Sequence, residues 1–348
     1  MRTIFAALLA AGCLIGGAAS AQDQKAFRDW MVVCDNSREC AAFGFSREPG
    51  DGYLKIERQA GPGGRLEAGL VVQGADGKPP LKGWRVLADG RPLFDRVTFE
   101  SGDWGAVWAV RDDEARRLVD AARNASSLTV EGPGVKVDIV LSGASASMRY
   151  IDERQGRVGQ RDALVATGPA SPAAAPEPPA RPIVKVPASP SQAGLPPTPA
   201  FVTDIPGTGD CDPPMDGASP QIMKARLAPG LMLWGVQCSS GAYNVGYLFF
   251  TSDERGGNKR PVAFPYAPGS SQPQTLFVTN PDFDADTLTL SSFEKARGIG
   301  DCGAILSWAW TGQRFALISQ DQMSECNGVG TEHWPSLYRA TPDQAVSR

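Results

Sequence analysis

The chain has 348 residues, with 34 lysines and arginines against 38 aspartates and glutamates and a formal net charge of −4. With that slightly acidic balance and no long basic run, a nucleic-acid partner is not expected. The length allows about two domains at ~100–200 residues each.

The opening MRTIFAALLAAGCLIGGAASAQ carries one charge at Arg2, an apolar run from Ile4 to Ile15, and small residues ending Ala19-Ser20-Ala21. That order is what an export signal needs, and the run is too short to span a membrane. A signal peptide over residues 1–21, cut before Gln22, is therefore expected. LAAGC around Cys13 raises a lipoprotein alternative, but Ala10 stands where such sites favour leucine and apolar sequence continues past the cysteine. The expected location is periplasmic, with no transmembrane segment in the mature chain. Seven cysteines less Cys13 leave six: Cys34, Cys40, Cys211, Cys238, Cys302 and Cys326. An even count in an exported chain reads as three disulfides, and pairing between neighbours gives Cys34–Cys40, Cys211–Cys238 and Cys302–Cys326.

Residues 22–167 read as a β-rich domain with one or two helices. In FRDWMVVCDNSREC, Phe27 to Cys40, strand-like MVVC and CAAFGF flank the turn formers DNSRE, so a hairpin brings Cys34 and Cys40 within disulfide reach. A zinc clip would need more ligands than the lone His333 supplies, and the redox spacing C-x-x-C is absent. Trp30, Val32 and Cys34 fall on one strand face, and Trp104, Ala106, Trp108 and Val110 on another. Further strands are expected near Leu54–Arg58, Leu66–Val72, Trp84–Leu87 and Val135–Leu141. DDEARRLVDAARNA opens on acids and repeats Ala115, Leu118, Val119 and Ala122 at helical spacing. A second helix is expected over Ala144–Gln155.

From Gly168 to Ala200 about one residue in three is proline. Such a segment reads as an extended Pro/Ala-rich linker between two independent domains. The second domain, 201–348, is expected to be β, with alternation over Leu231–Gln237, Tyr243–Thr251, Thr287–Phe293, Ala304–Trp310 and Phe315–Ser319. TGQR joins the last two as a hairpin. The fold class is mainly β, α+β in the first domain: two disulfide-stapled, β-sandwich-like domains joined by the linker.

Few constellations carry chemistry. RGIGDCG contains G-x-G-x-x-G at Gly298, Gly300 and Gly303, but strand-like AILSWAW follows where a nucleotide fingerprint needs a helix, so a glycine-rich turn is expected. NPDFDADT spaces Asp282, Asp284 and Asp286 by two, making them candidate calcium ligands, although the EF-hand glycine and late glutamate are missing. His333 has no G-x-S-x-G elbow to serve, and no catalytic residue or cofactor is singled out. Trp308 and Trp310 share a strand face that reads as core. In GAYN, Gly241 to Asn244, Tyr243 and Asn244 are candidate ligand-binding residues at a turn entering a strand.

FRDWMVVCDNSREC, GAYN, KARGIGDCG (295–303) and WPSLYRA (334–340), in this order with six mature cysteines, resemble the exported bacterial family called domain of unknown function 1176. The chain departs from that pattern at Ala296, where glycine is expected, and at Tyr338, where tryptophan is expected. The resemblance implies export and disulfides and leaves activity open. The first domain is also similar to invasion-associated locus B proteins through the Trp30–Cys34 strand, the second cysteine and SGASASMRYID. The expected function is a non-catalytic binding or interaction protein of the cell envelope, meeting an envelope component or protein partner. Loops GAYN and RGIGDCG would make contact, Arg297 and Asp301 among them, with the linker raising effective concentration. The alternatives are an envelope-directed hydrolase with unidentified carboxylates and a calcium-stabilised structural module.

Overall fold

A computed structural model describes residues 23–73, 78–203, 211 and 219–345. The expected export signal, with Cys13, lies outside the described residues.

The first half runs β1 (Asp23–Phe27), β2 (Trp30–Cys34), β3 (Cys40–Phe45), β4 (Gly52–Arg58), β5 (Leu66–Val72), β6 (Trp84–Ala88), β7 (Arg91–Val97), β8 (Glu100–Gly102), β9 (Gly105–Arg111), α1 (Asp112–Asn124), β10 (Ser127–Gly132), β11 (Val135–Val140) and α2 (Ala144–Arg154). A seven-stranded sheet has the order β1-β2-β3-β4-β5-β9-β8, and a four-stranded sheet the order β11-β10-β6-β7. Alternate side chains Trp30, Val32, Ala42, Leu54, Ile56, Ala68 and Leu70 enter one core cluster. Val86, Val130 and Ile139 of the smaller sheet close it, together with Leu118, Val119, Met148 and Ile151 of the helices. Each such aliphatic side chain taken from water stabilises the fold by about 1.5–3 kcal/mol. In α1 the acids Asp112, Asp113 and Glu114 occupy the first turn, where the helix dipole favours negative charge.

The intervening side chains do not face water. Met31, Val33, Ala41, Phe43, Phe45, Tyr53 and Val71 form a second buried layer with Cys302, Met323, Val329, Trp334 and Leu337 of the second half. MVVC and CAAF therefore lack polar alternation because both faces of β2 and β3 are covered. Trp104, expected on the Ala106 face, lies instead in the turn before β9. Gly105, at φ 129°, takes the chain out of strand alternation there.

The second half comprises β12 (Ile183–Val186), β13 (Ile222–Ala228), β14 (Leu231–Ser240), β15 (Val245–Ser252), β16 (Arg260–Pro261), β17 (Phe264–Pro265), β18 (Gln274–Thr275), β19 (Phe277–Thr279), β20 (Asp282–Asp284), β21 (Thr289–Lys295), β22 (Gly303–Trp310), β23 (Phe315–Met323), β24 (Ser336–Arg339) and β25 (Thr341–Gln344). The two larger sheets are β13-β14-β15-β16, with β19 also on β15, and β20-β21-β22-β23-β24; β12-β25 and β17-β18 form two-stranded sheets. Leu227, Leu233, Phe249, Leu290, Leu306, Trp308 and Phe315 pack in one core. Trp308 and Trp310 are 1% and 4% exposed, so both belong to the interior. The mainly β fold is thus the fold found, and the three disulfides join Cys34 to Cys40, Cys211 to Cys238 and Cys302 to Cys326.

The Pro-rich segment, with a short 3-10 turn at Pro172–Ala174, does not hang free between the halves. Its β12 pairs in parallel with β25. Arg181 meets Glu39 at 3.2 Å, and the Gln192 amide exchanges hydrogen bonds of 3.0 and 2.8 Å with the Arg226 backbone. Leu195, Phe201 and Val202 cover the outer side chains Met232, Trp234 and Val236 of β14. Composition averages hide these few apolar residues, which fall where an exposed sheet face needs a cover.

Candidate functional site

The GAYN and RGIGDCG loops meet at one end of the second half, and asparagine amides join them. The Asn280 side chain donates to the carbonyls of Phe293 at 2.8 Å and Tyr243 at 3.2 Å, and accepts from the Val245 amide at 2.9 Å. Asn244 donates to the Lys295 carbonyl at 2.8 Å and accepts from its amide at 3.2 Å. Two short polar side chains therefore tie together the ends of β15, β19 and β21, where strand ladders have run out.

The second loop is held by charge. Asp301 is fully buried; its carboxylate accepts from Arg297 Nε at 2.6 Å and from the Gly328 amide at 2.7 Å. The Arg297 guanidinium also donates to the Cys326 carbonyl at 2.9 Å, beside the Cys302–Cys326 bridge. Burial pushes the Asp301 carboxyl upward, but the Arg297 and Gly328 hydrogen bonds and the Arg297 charge overcome it and hold the group below the usual carboxylate range. In turn the Asp301 hydrogen bond raises Arg297. Gly303, at φ 136°, passes so close to the Glu294 carbonyl that a Cβ would lie 2.0 Å from it. No other residue fits there.

The loops so fixed expose apolar groups. Tyr243 is 42% exposed and Ile299 63%, and the Tyr243 ring lies over the loop, 3.4 Å from where a Gly298 Cβ would stand. The Arg297 side chain is 46% exposed along its outer edge. Of the four candidate binding residues, Tyr243 and Arg297 thus face outward, while Asn244 and Asp301 position them. Sequence reasoning missed Ile299, whose signal is an aliphatic residue isolated between glycines. It also missed Asn280, which carries no local signal beyond an Asn-Pro turn.

The acidic turn does not gather its carboxylates. Asp284 accepts from the Thr287 hydroxyl at 2.7 Å and the Asp286 amide at 2.9 Å, which hold it below the usual range. Among the described residues no three His, Cys, Asp or Glu side chains are grouped to hold a metal ion.

A polar cavity of about 260 Å³ lies at the seam between the halves, lined by Asp35, Lys55, Glu57, Glu332, Ser336 and Arg339 among others. Beside it Asp321 pairs with Arg339 at 2.9 Å and accepts from the Ser336 hydroxyl at 2.5 Å. Burial raises its carboxyl all the same. His333 bonds through Nδ1 to the Tyr53 hydroxyl. Burial first, and then Lys55, lowers its imidazole. Lys55 holds Glu57 at 2.8 Å, and Asp35 accepts from the Ser37 hydroxyl and the Glu39 amide. Asp35, Glu57 and Asp321 are thus each held by a structural partner.

A family described as protein of unknown function (DUF1176) matches over residues 24–341. The uncharacterized protein YpfG of Escherichia coli (strain K12) is 28% identical over 348 aligned residues, covering 92% of this chain and 93% of that protein. No solved structure matches.

Proposed function

Since the chain belongs to the DUF1176 family, whose description carries no activity, we propose from the geometry that it is a non-catalytic binding protein of the bacterial envelope. Its contact surface is the locked tip formed by Tyr243, Arg297 and Ile299. One observation carries this reading: an aliphatic side chain, 63% exposed, stands on a loop fixed by a half-buried ion pair and a disulfide. An exposed aliphatic group beside an exposed tyrosine and arginine on fixed loops is the composition of a contact surface, since tyrosine and arginine dominate the binding energy at protein interfaces. Three disulfides fit an oxidising, exported setting. No described helix is long and apolar enough to cross a membrane.

With the two halves sharing a buried layer, envelope recognition is assigned to the tip without a gain in effective concentration from a free tether. The test is sedimentation of the mature protein with isolated envelope, followed by mass spectrometry of pellet and supernatant. The protein is expected in the pellet with no new soluble fragments. Released envelope fragments would replace this reading with a hydrolase.

A further inference from the structure

A groove of about 510 Å³ lies on the second half, away from the tip, between the Arg260–Pro265 segment and the β22–β23 hairpin. That volume is in the range of small-molecule sites, ~300–1,000 Å³. Pro261, Val262, Pro265, Phe315 and Leu317 supply apolar wall, and no aspartate or glutamate lines it. Arg260 and Arg314, both exposed, are its charged groups. Neither guanidinium has an ion-pair or hydrogen-bond partner among the described residues; Arg28, Arg38, Arg47, Arg91, Arg96 and Arg161 share that state, but Arg260 and Arg314 line one groove together. In a chain of net charge −4, two unneutralised cations over an acid-free apolar groove select for a negative head on an apolar body.

A tryptophan supports this independently. Trp30, Trp84, Trp234, Trp308 and Trp334 are buried, and each indole N–H donates to an acceptor 2.6–2.9 Å away. Trp310, equally buried and lining the groove, has an indole N–H with no acceptor among the described residues. Most buried donors in folded proteins are satisfied, and Trp310, a residue of the groove wall, is the buried tryptophan whose N–H is left without an acceptor among the described residues. A carboxylate supplies an acceptor for it and carries one negative charge over two oxygens, each able to accept from an arginine.

We infer that this groove binds a single-chain amphiphile with a carboxylate head, a long-chain fatty acid. The acyl chain lies along Val262, Pro265 and Leu317, and the carboxylate meets Arg260, Arg314 and the Trp310 N–H.

The test uses the full mature protein and three probes that share a twelve-carbon tail: dodecanoate, dodecyltrimethylammonium and dodecyl maltoside, each below its micelle concentration. Calorimetry and tryptophan emission read binding. Dodecanoate is expected to bind saturably at one site, at least ten-fold tighter than the cationic or neutral probe. The double variant Arg260→Glu/Arg314→Glu, changed only at exposed positions, is expected to lose at least ten-fold in dodecanoate affinity at unchanged melting temperature. Trp310→Phe is expected to abolish the emission change while calorimetric binding persists. Equal affinity for the three heads, dodecanoate binding untouched by the double arginine variant, an emission change that survives Trp310→Phe, or no binding would each overturn the inference.

Discussion

The tip and the seam border the same disulfide but are held by different forces. At the seam, Met31, Val33, Phe43 and Phe45 pack on Met323, Trp334 and Leu337, and the energy is apolar area removed from water. At the tip, Asn244, Asn280 and the Arg297–Asp301 pair bind backbone groups, leaving Tyr243 and Ile299 outside. Cys302 stands between them, buried in the seam layer and following Asp301. A surface that must present apolar groups cannot use those groups to stay folded. Hydrogen bonds and a half-buried charge pair do it instead. On the proposed assignment of binding to the tip, stability and recognition are therefore expected to be separately perturbable in this chain.

The largest effect is expected at the seam. Phe43 is fully buried, and Phe43→Ala is expected to destabilise by about 3–5 kcal/mol, read by denaturant unfolding. A smaller loss from that change would mean that the two halves hardly depend on their shared layer.

Next come the disulfides, whose loops differ in length: Cys302–Cys326 spans 24 positions and Cys34–Cys40 spans 6. Replacing both cysteines of the first by alanine is expected to cost roughly 3.5 kcal/mol, and of the second roughly 2.3 kcal/mol, in the chain-entropy picture. The reverse order would show that native-state contacts around Cys34 outweigh loop closure.

Arg297→Ala strands a buried carboxylate and is expected to cost about 3 kcal/mol, the low end for a broken buried pair, since Arg297 itself is half exposed. The same pair has a pH signature. The Asp301 carboxyl is depressed in the fold, so it binds fewer protons there than in the unfolded chain. Its stabilisation is fully present above the ordinary carboxylate value of about 3.9 and is lost as pH falls through the lower folded value. Asp301→Asn should flatten that part of the stability curve, and an unchanged acid limb would show that Asp301 does not govern it.

Much of the architecture was legible. Period-two runs located β5, β6 and β22 within a residue or so at each end, and the Ala115-Leu118-Val119-Ala122 stripe located α1, because in each case one strongly apolar face decides the element. Neighbour pairing of the cysteines worked for Cys34–Cys40, which flanks the β2–β3 turn, and for Cys302–Cys326, which lies at the ends of the paired strands β22 and β23. What could not be read was anything set by remote packing. WMVVC carries apolar residues on both faces, and nothing in the string says that Trp334 and Leu337 cover the outer one. The prolines of 168–200 carry no signal for pairing, and whether that backbone pairs with β25 depends on a strand more than 150 residues away. At the tip, Tyr243 and Arg297 could be picked from loop chemistry. The work of Asn280 is to bridge two loops distant in sequence, so it was invisible.

The account stands on the separation of tip from seam, and one measurement addresses it directly: envelope sedimentation of the double variant Tyr243→Ala/Ile299→Asp beside the unmodified protein, with melting temperatures taken on the same samples. Both positions are exposed, so the melting temperature is expected to hold while the pelleted fraction falls at least ten-fold. An undiminished pellet at unchanged melting temperature would contradict the assignment of binding to the tip.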